Sequence, residues 1–222
     1  MVDRQELTDL ILEQSDALLI LQRIQDKLKE EQCKREAFYE IIDEDTKAEF
    51  INGEIVYHSP VMKRHNDATK RMMTLLDTYV EGADLGFVGV EKILTVFSRN
   101  DYEPDVCFFN KKKSKNFQPE QMKFPVPDLI VEVLSKSKKA LERDRKTKFE
   151  DYERHGISEY WMIDPDAQTI EQHILKKGKY ELVLKSAEGH ITSRAVKGFT
   201  IPIRAIFDKE THREALRGLL GA

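Results

Sequence analysis

Pro127-Asp128-Leu129-Ile130-Val131-Glu132-Val133-Leu134-Ser135 reads as a buried apolar strand with one carboxylate set inside it. An ionised Glu flanked by Val is costly to bury unless a metal ion, a proton or a cation compensates it. A second stretch, Glu103-Pro104-Asp105-Val106-Cys107-Phe108-Phe109, has the same character, with an acid at the entry to a continuous apolar run. Runs that are apolar at successive positions belong to central strands covered on both faces, which calls for an α/β architecture. Downstream lies a basic helix carrying Lys146 and Lys148. Two acids and a lysine are the ingredients of a metal-dependent hydrolytic site.

The elements around this pair follow from pattern and punctuation. The basic helix spans roughly Lys139 to Arg154 and closes at His155-Gly156; Glu159 to Asp164 is another buried-type strand, halted by Pro165. Ile170 to Leu175 and Tyr180 to Leu184 form a hairpin across Lys177-Gly178, followed by a segment with Phe199, Ile201, Ile206 and Phe207. Upstream, Phe87 to Val90 and Lys92 to Phe97 look extended, and a helix from Lys63 to Glu81 carries Met72, Leu75, Leu76 and Tyr79 on one side. Ala48 to Ile51 and Glu54 to His58 are joined by Asn52-Gly53, a turn pair whose residues both accept positive φ. The expectation is a mixed β-sheet core flanked by helices, without internal repeats.

Asp3 to Phe38 contains no Gly or Pro and favours one long helix. Leu7, Leu10, Ala17, Leu21, Ile24 and Leu28 follow a seven-residue apolar spacing, interrupted at Gln14, with Ile11 and Leu18 widening the stripe. Such a face needs a partner, and two stay open: its own domain, or a second copy in a short coiled coil, with a homodimer preferred. The organisation expected is a helical extension over 1–45, the α/β domain over 46–210 and a C-terminal tail over 211–222.

At 222 residues, 40% of them hydrophobic, the chain can bury a core of ordinary size. Its formal net charge of -4 excludes a global basic field, so any nucleic-acid site must be a local patch. Two cysteines, Cys33 and Cys107, make neither a disulfide framework nor a zinc cluster, and free thiols in a reducing cytoplasm are expected. No apolar run reaches the length of a membrane span and no signal-peptide pattern opens the chain, so a cytoplasmic protein is expected.

Phosphodiester hydrolysis needs a cation to offset developing charge, a water made nucleophilic near neutral pH, and a positive group for the pentacovalent phosphate. Hard oxygen ligands suit Mg²⁺ or Mn²⁺, commonly held by one or two carboxylates plus water and substrate. Asp105 and Glu132 supply such ligands, and Lys146 or Lys148 can orient or help deprotonate the water.

The chain resembles the PD-(D/E)XK nuclease superfamily, and more narrowly the Uma-type family of restriction-endonuclease-like proteins. The likeness runs through Glu49-Phe50-Ile51-Asn52-Gly53-Glu54, Ser59-Pro60, His65, Glu103-Pro104-Asp105-Val106 and the Pro127 to Ser135 stretch. It continues through Asp144-Arg145-Lys146-Thr147-Lys148, Tyr152 and Gly156 to Pro165. The resemblance implies a restriction-endonuclease-like fold and a divalent-metal nuclease, with Asp105 as the first acid and Glu132 as the second. Leu134 stands where the superfamily places its lysine. Alternation keeps Lys136 on the face of Glu132, while the family likeness favours a lysine on the following helix, where Asp144, Lys148 and Tyr152 share one face. Lys148 is preferred, then Lys146.

The resemblance also favours Glu54 as a further acidic group, while His65, early in the first core helix, reads as a structural hydrogen-bonder first and a base second, a secondary candidate. Asp128 marks strand entry. Lys138, Lys139, Arg143 and Arg145 form a basic segment suited to DNA phosphates, and Lys111-Lys112-Lys113-Ser114-Lys115 a second basic run. The leading expectation is an Mg²⁺- or Mn²⁺-dependent endonuclease acting on DNA. The alternative is a catalytically silent nucleic-acid-binding or regulatory module that keeps the fold and dimerises through its N-terminal helix.

Overall fold

The computed structural model describes residues 4–43 and 45–221. Asp3, the expected start of the first helix, and Ala222, the end of the expected tail, lie outside the described residues. The chain divides into two compact units, Met1–Tyr57 and His58–Ala222.

In the first unit, the single helix expected from the sequence is two: α1 (Arg4–Leu12) and α2 (Ala17–Ile41). The break spans 13–16 and includes Ser15 and Asp16, residue types of low helix propensity. Strands β1 (Ala48–Ile51) and β2 (Glu54–Tyr57) pair antiparallel, with Asn52 and Gly53 at φ 53 and 82 as the turn requires. α2 presses on this turn so closely that a Cβ on Gly53 would stand 2.6 Å from Glu31 Cγ.

The seven-residue stripe of the N-terminal helices meets two fates. At its C-terminal end Arg35 and Phe38 are buried, Phe38 stacking near Phe50 of β1 with ring centroids 5.8 Å apart. Further back Leu7, Leu10, Leu21, Ile24 and Leu28 remain between 42% and 52% exposed. The stripe therefore packs on its own unit over one part only.

The second unit begins with α3 (Lys63–Gly82) and is built on a six-stranded sheet. Its strands are β3 (Gly86–Val90), β6 (Val106–Asn110), β8 (Leu129–Val133), β9 (Glu159–Asp164), β10 (Thr169–Lys176) and β11 (Lys179–Ser186). They lie in the order β11-β10-β9-β8-β6-β3, and β8–β9 is the parallel pair while the other neighbours run antiparallel. Parallel neighbours need a crossover. It is supplied by α5 (Lys138–Glu142), a π-helical turn (Arg143–Lys148) and α6 (Phe149–Arg154). A smaller ladder sets β4 (Leu94–Val96) antiparallel to β5 (Asp101–Tyr102) and parallel to β7 (Lys123–Phe124).

Alternation sorts the two faces of the sheet. Val106, Phe108, Leu129, Val131, Val133, Trp161 and Ile163 pack with Met72, Leu75, Leu76 and Val80 of α3 in the main core. The intervening residues, Cys107, Ile130, Glu132, Tyr160 and Met162, therefore face the opposite side. Cys107 is buried and its thiol is pushed up by burial; Cys33 is exposed, and both are free.

Glu159 is buried at the start of β9 and accepts five hydrogen bonds. Trp161 Nε1 and Gln172 Nε2 reach its Oε1, both at 2.6 Å; Ser193 Oγ at 2.7 Å and the Arg194 and Ala195 N–H groups at 2.8 Å reach its Oε2. These bonds tie the 193–195 loop to the sheet. The stretch expected as a tail forms most of α7 (Lys209–Leu220), started by Asp208, whose carboxylate accepts the Thr211 N–H at 2.8 Å. Ala215, Leu216 and Leu219 recur at helical spacing and pack on the core, which is why this end is ordered. No helix among the described residues is long and apolar enough to cross a membrane.

Candidate active site

Strands β6 and β8 pair Val106 with Val131, Cys107 with Ile130 and Phe108 with Leu129. Asp105 lies one residue before β6, and this register continued by one step brings it level with Glu132. The Val133 N–H donates to Asp105 Oδ2 at 2.7 Å, which fixes the first acid against the backbone beside the second. Both acids are buried.

The crossover helix brings its cation to the same place. Lys148 Nζ donates to Glu132 Oε1 at 2.9 Å, and the two side chains are 3% and 5% exposed. Tyr152, one turn on, donates its hydroxyl to the same oxygen at 2.8 Å. Asp144, one turn back, has Oδ1 3.8 Å from Lys148 Nζ. The Tyr102 ring adds a face for the ammonium, with Nζ 5.7 Å from its centroid. Tyr102 is itself held by its hydroxyl bond to Asp151 Oδ2 at 2.8 Å.

The helix that does this is not uniformly α-helical. Arg143–Lys148 forms a π turn, and both buried polar residues of that turn, Asp144 and Lys148, belong to the cluster. Tyr160 caps the local backbone, donating its hydroxyl to the Asp144 carbonyl at 3.2 Å. Single π turns inside α-helices are rare and frequent at functional sites.

The Uma2 family, described as "Putative restriction endonuclease", matches residues 35–204. The chain belongs to the Uma2 family. Its fold also resembles a structure titled as "a putative nuclease belonging to DUF820 from Anabaena variabilis ATCC 29413", with a TM-score of 0.64 and 17% identity over 81% of this chain and 96% of that one. At that identity the likeness concerns fold alone. No curated protein matches the chain.

Within this Uma2 chain the remaining candidates fall into different places. Lys146 is exposed, so the π turn selects Lys148 of the two. Lys136, which shares strand parity with Glu132, is exposed and lies 3.4 Å from Asp166. His65, on α3, reaches Asp105, with Nε2 3.4 Å from Asp105 Oδ2 and Nδ1 3.4 Å from Thr69 Oγ1. Glu54 is exposed on β2 of the first unit. Arg145 is engaged by Glu171 through two bonds of 3.0 Å, while Lys138 and Lys139 are exposed and Arg143 is half-buried. Asp128 is a brace: its carboxylate accepts the Asn110 N–H at 2.8 Å and pairs with Lys113 at 2.9 Å.

Tyr102 is the contributor that the sequence did not announce. It comes from a two-residue strand, and a lone buried Tyr carries no spacing signal. Asp144 and Tyr152 were marked by their spacing from Lys148.

The donor set fits a hard divalent ion. Asp105, just before β6, and Glu132 on β8 offer carboxylate oxygens, and Mg²⁺ typically takes one or two carboxylates while keeping water and phosphate oxygens. Among the described residues no group of three His, Cys, Asp or Glu side chains is gathered as a protein-only cage. Asp105 and Glu132 suit an ion that relies on solvent and substrate for the rest of its shell.

Proposed function

We propose that this protein is an Mg²⁺- or Mn²⁺-dependent endonuclease that hydrolyses DNA phosphodiesters. The observation that carries the reading is the buried Lys148–Glu132 bond beside a second buried acid, Asp105, whose carboxylate accepts the N–H of the residue after Glu132. Membership of the restriction-endonuclease-like family supports the same direction.

In this reading Asp105 and Glu132 would hold the ion, which would supply charge neutralisation and activation of water. The rest falls to the chain's own groups. The Val133 N–H and His65 hold the Asp105 carboxylate in place, and the Tyr152 hydroxyl orients Glu132. Lys148 presents an ammonium that orients the attacking water and stabilises negative charge developing on the phosphate. Lys138 and Lys139, exposed at the start of the crossover helix, supply backbone phosphate contacts that weaken with salt through counterion release. Two copies associate through the open leucine stripe of α1 and α2.

The deciding experiment is nicking of supercoiled plasmid with Mg²⁺, Mn²⁺ or chelator, using the wild type, Glu132→Gln and Lys146→Gln. Metal-dependent nicking retained in Lys146→Gln and lost in Glu132→Gln supports the proposal. Salt-sensitive DNA binding with no metal-dependent cleavage would instead mean a silent binding module.

A further inference from the structure

The contacts of Lys148 raise a question that the nuclease reading leaves open. Its ammonium sits on Glu132 Oε1, an oxygen of the acid assigned to the metal, and Tyr152 donates to that same atom. A cation bonded to a ligand carboxylate opposes a second cation there by direct repulsion. Yet the same ammonium has another carboxylate within reach on its own helix, Asp144 Oδ1 at 3.8 Å, buried beside it.

We infer that Lys148 is a built-in counter-cation with two seats: it neutralises Glu132 in the metal-free protein and moves to Asp144 when a divalent ion is held by Asp105 and Glu132. Asp144 is then a positioning residue, acting on metal binding through Lys148. The inference rests on the reading of Asp105 and Glu132 as the metal-holding pair.

The physical basis is the cost of a buried charge without compensation. A buried carboxylate such as Glu132 needs a cation or extensive hydrogen bonding at all times. Lys148 meets that need before metal arrives. Once the ion takes over, the ammonium in turn needs a compensating carboxylate, and Asp144 provides one without repacking because it lies one turn away. The exchange keeps Glu132 and the Lys148 ammonium compensated in both states, and it leaves Lys148 released from Glu132 once the ion is bound.

The test is Mn²⁺ affinity measured by isothermal titration calorimetry on the full chain, with no nucleic acid and no turnover. Lys148→Gln keeps a donor for Glu132 but removes the charge, and binding should tighten by at least about tenfold. Asp144→Asn weakens the second seat, and binding should loosen by a similar factor. In the double variant the Asp144→Asn effect should vanish, because there is no ammonium left to accommodate. If Asp144→Asn weakens binding equally with and without Lys148, Asp144 acts as a plain nearby negative charge and the two-seat account fails.

Unchanged or weaker Mn²⁺ binding in Lys148→Gln also overturns it, and leaves the nuclease reading intact provided that Glu132→Gln abolishes wild-type binding. Absence of Mn²⁺ binding in both wild type and Lys148→Gln overturns the inference together with the metal-dependent reading.

Discussion

Asp105 and Val133 are joined by a 2.7 Å hydrogen bond from backbone N–H to carboxylate, so the acid at the entry of β6 is fastened to the peptide that follows Glu132 on β8. The bond makes Asp105 both a structural acceptor and a candidate ligand. Asp105→Asn keeps an oxygen acceptor and should preserve the unfolding midpoint, while nicking falls by about 100-fold or more. Asp105→Ala also removes the acceptor from a buried N–H and should cost about 1–3 kcal/mol in denaturant unfolding. An Asn variant that nicks at the wild-type rate would contradict a ligand role.

Glu159 gathers five donors in a fully buried position. Glu159→Ala leaves all five facing a hole, which should destabilise the fold by roughly 3–5 kcal/mol. For a chain of this size that corresponds to a melting temperature lower by about 10 °C. Calorimetry checks this, and a shift under about 2 °C would show that the carboxylate contributes little.

Acid should destabilise the protein in two stages. Burial holds His173 below its ordinary value of 6.5, so the folded state binds its proton less readily than the unfolded chain and stability declines as pH falls below that value. Burial alone would raise Glu171, but hydrogen bonds from Arg145 and Lys185 outweigh it and bring the carboxyl from 4.5 down to about 2. Its stabilisation is complete above 4.5 and is lost as the pH falls towards about 2. Urea midpoints measured across this range should drop in both windows, and Glu171→Gln should remove the lower one. An unchanged lower step in that variant would assign it to other carboxylates.

The open part of the N-terminal stripe predicts self-association. Leu21, Ile24 and Leu28 lie at seam spacing and are 49%, 42% and 46% exposed. Light scattering should find a dimer in the wild type, converted to monomer by serine at these three positions, with the circular dichroism of the sheet unchanged. A wild-type monomer at high micromolar concentration would exclude the self-association.

The succession of strands along the chain, the Asn52-Gly53 turn and the central position of β6 and β8 were legible in the sequence because each follows from short-range rules of apolar patterning and turn chemistry. The approach of Lys148 to Glu132 was expected from the family resemblance, and helical spacing added that Asp144, Lys148 and Tyr152 share one face. What was not legible depends on contacts distant in the chain. The division of the leucine stripe needed the β1–β2 hairpin to be placed against Arg35 and Phe38. The role of Glu159 needed a loop 34 residues away to fold back, as in its bond from Ser193. The break at Gln14-Ser15-Asp16 is masked in the sequence by strong helix formers on either side.

The π turn carries a consequence for chain length. Each residue added to or removed from a helix rotates everything beyond it by about 100°. Deleting one residue within Arg143–Lys148 would restore ordinary α winding and swing the lysine off the acid, even if every chemically active side chain were retained. This segment therefore tolerates exchange of its solvent-facing residues far better than any change in their number, and an insertion or deletion here would disarm the protein without unfolding it.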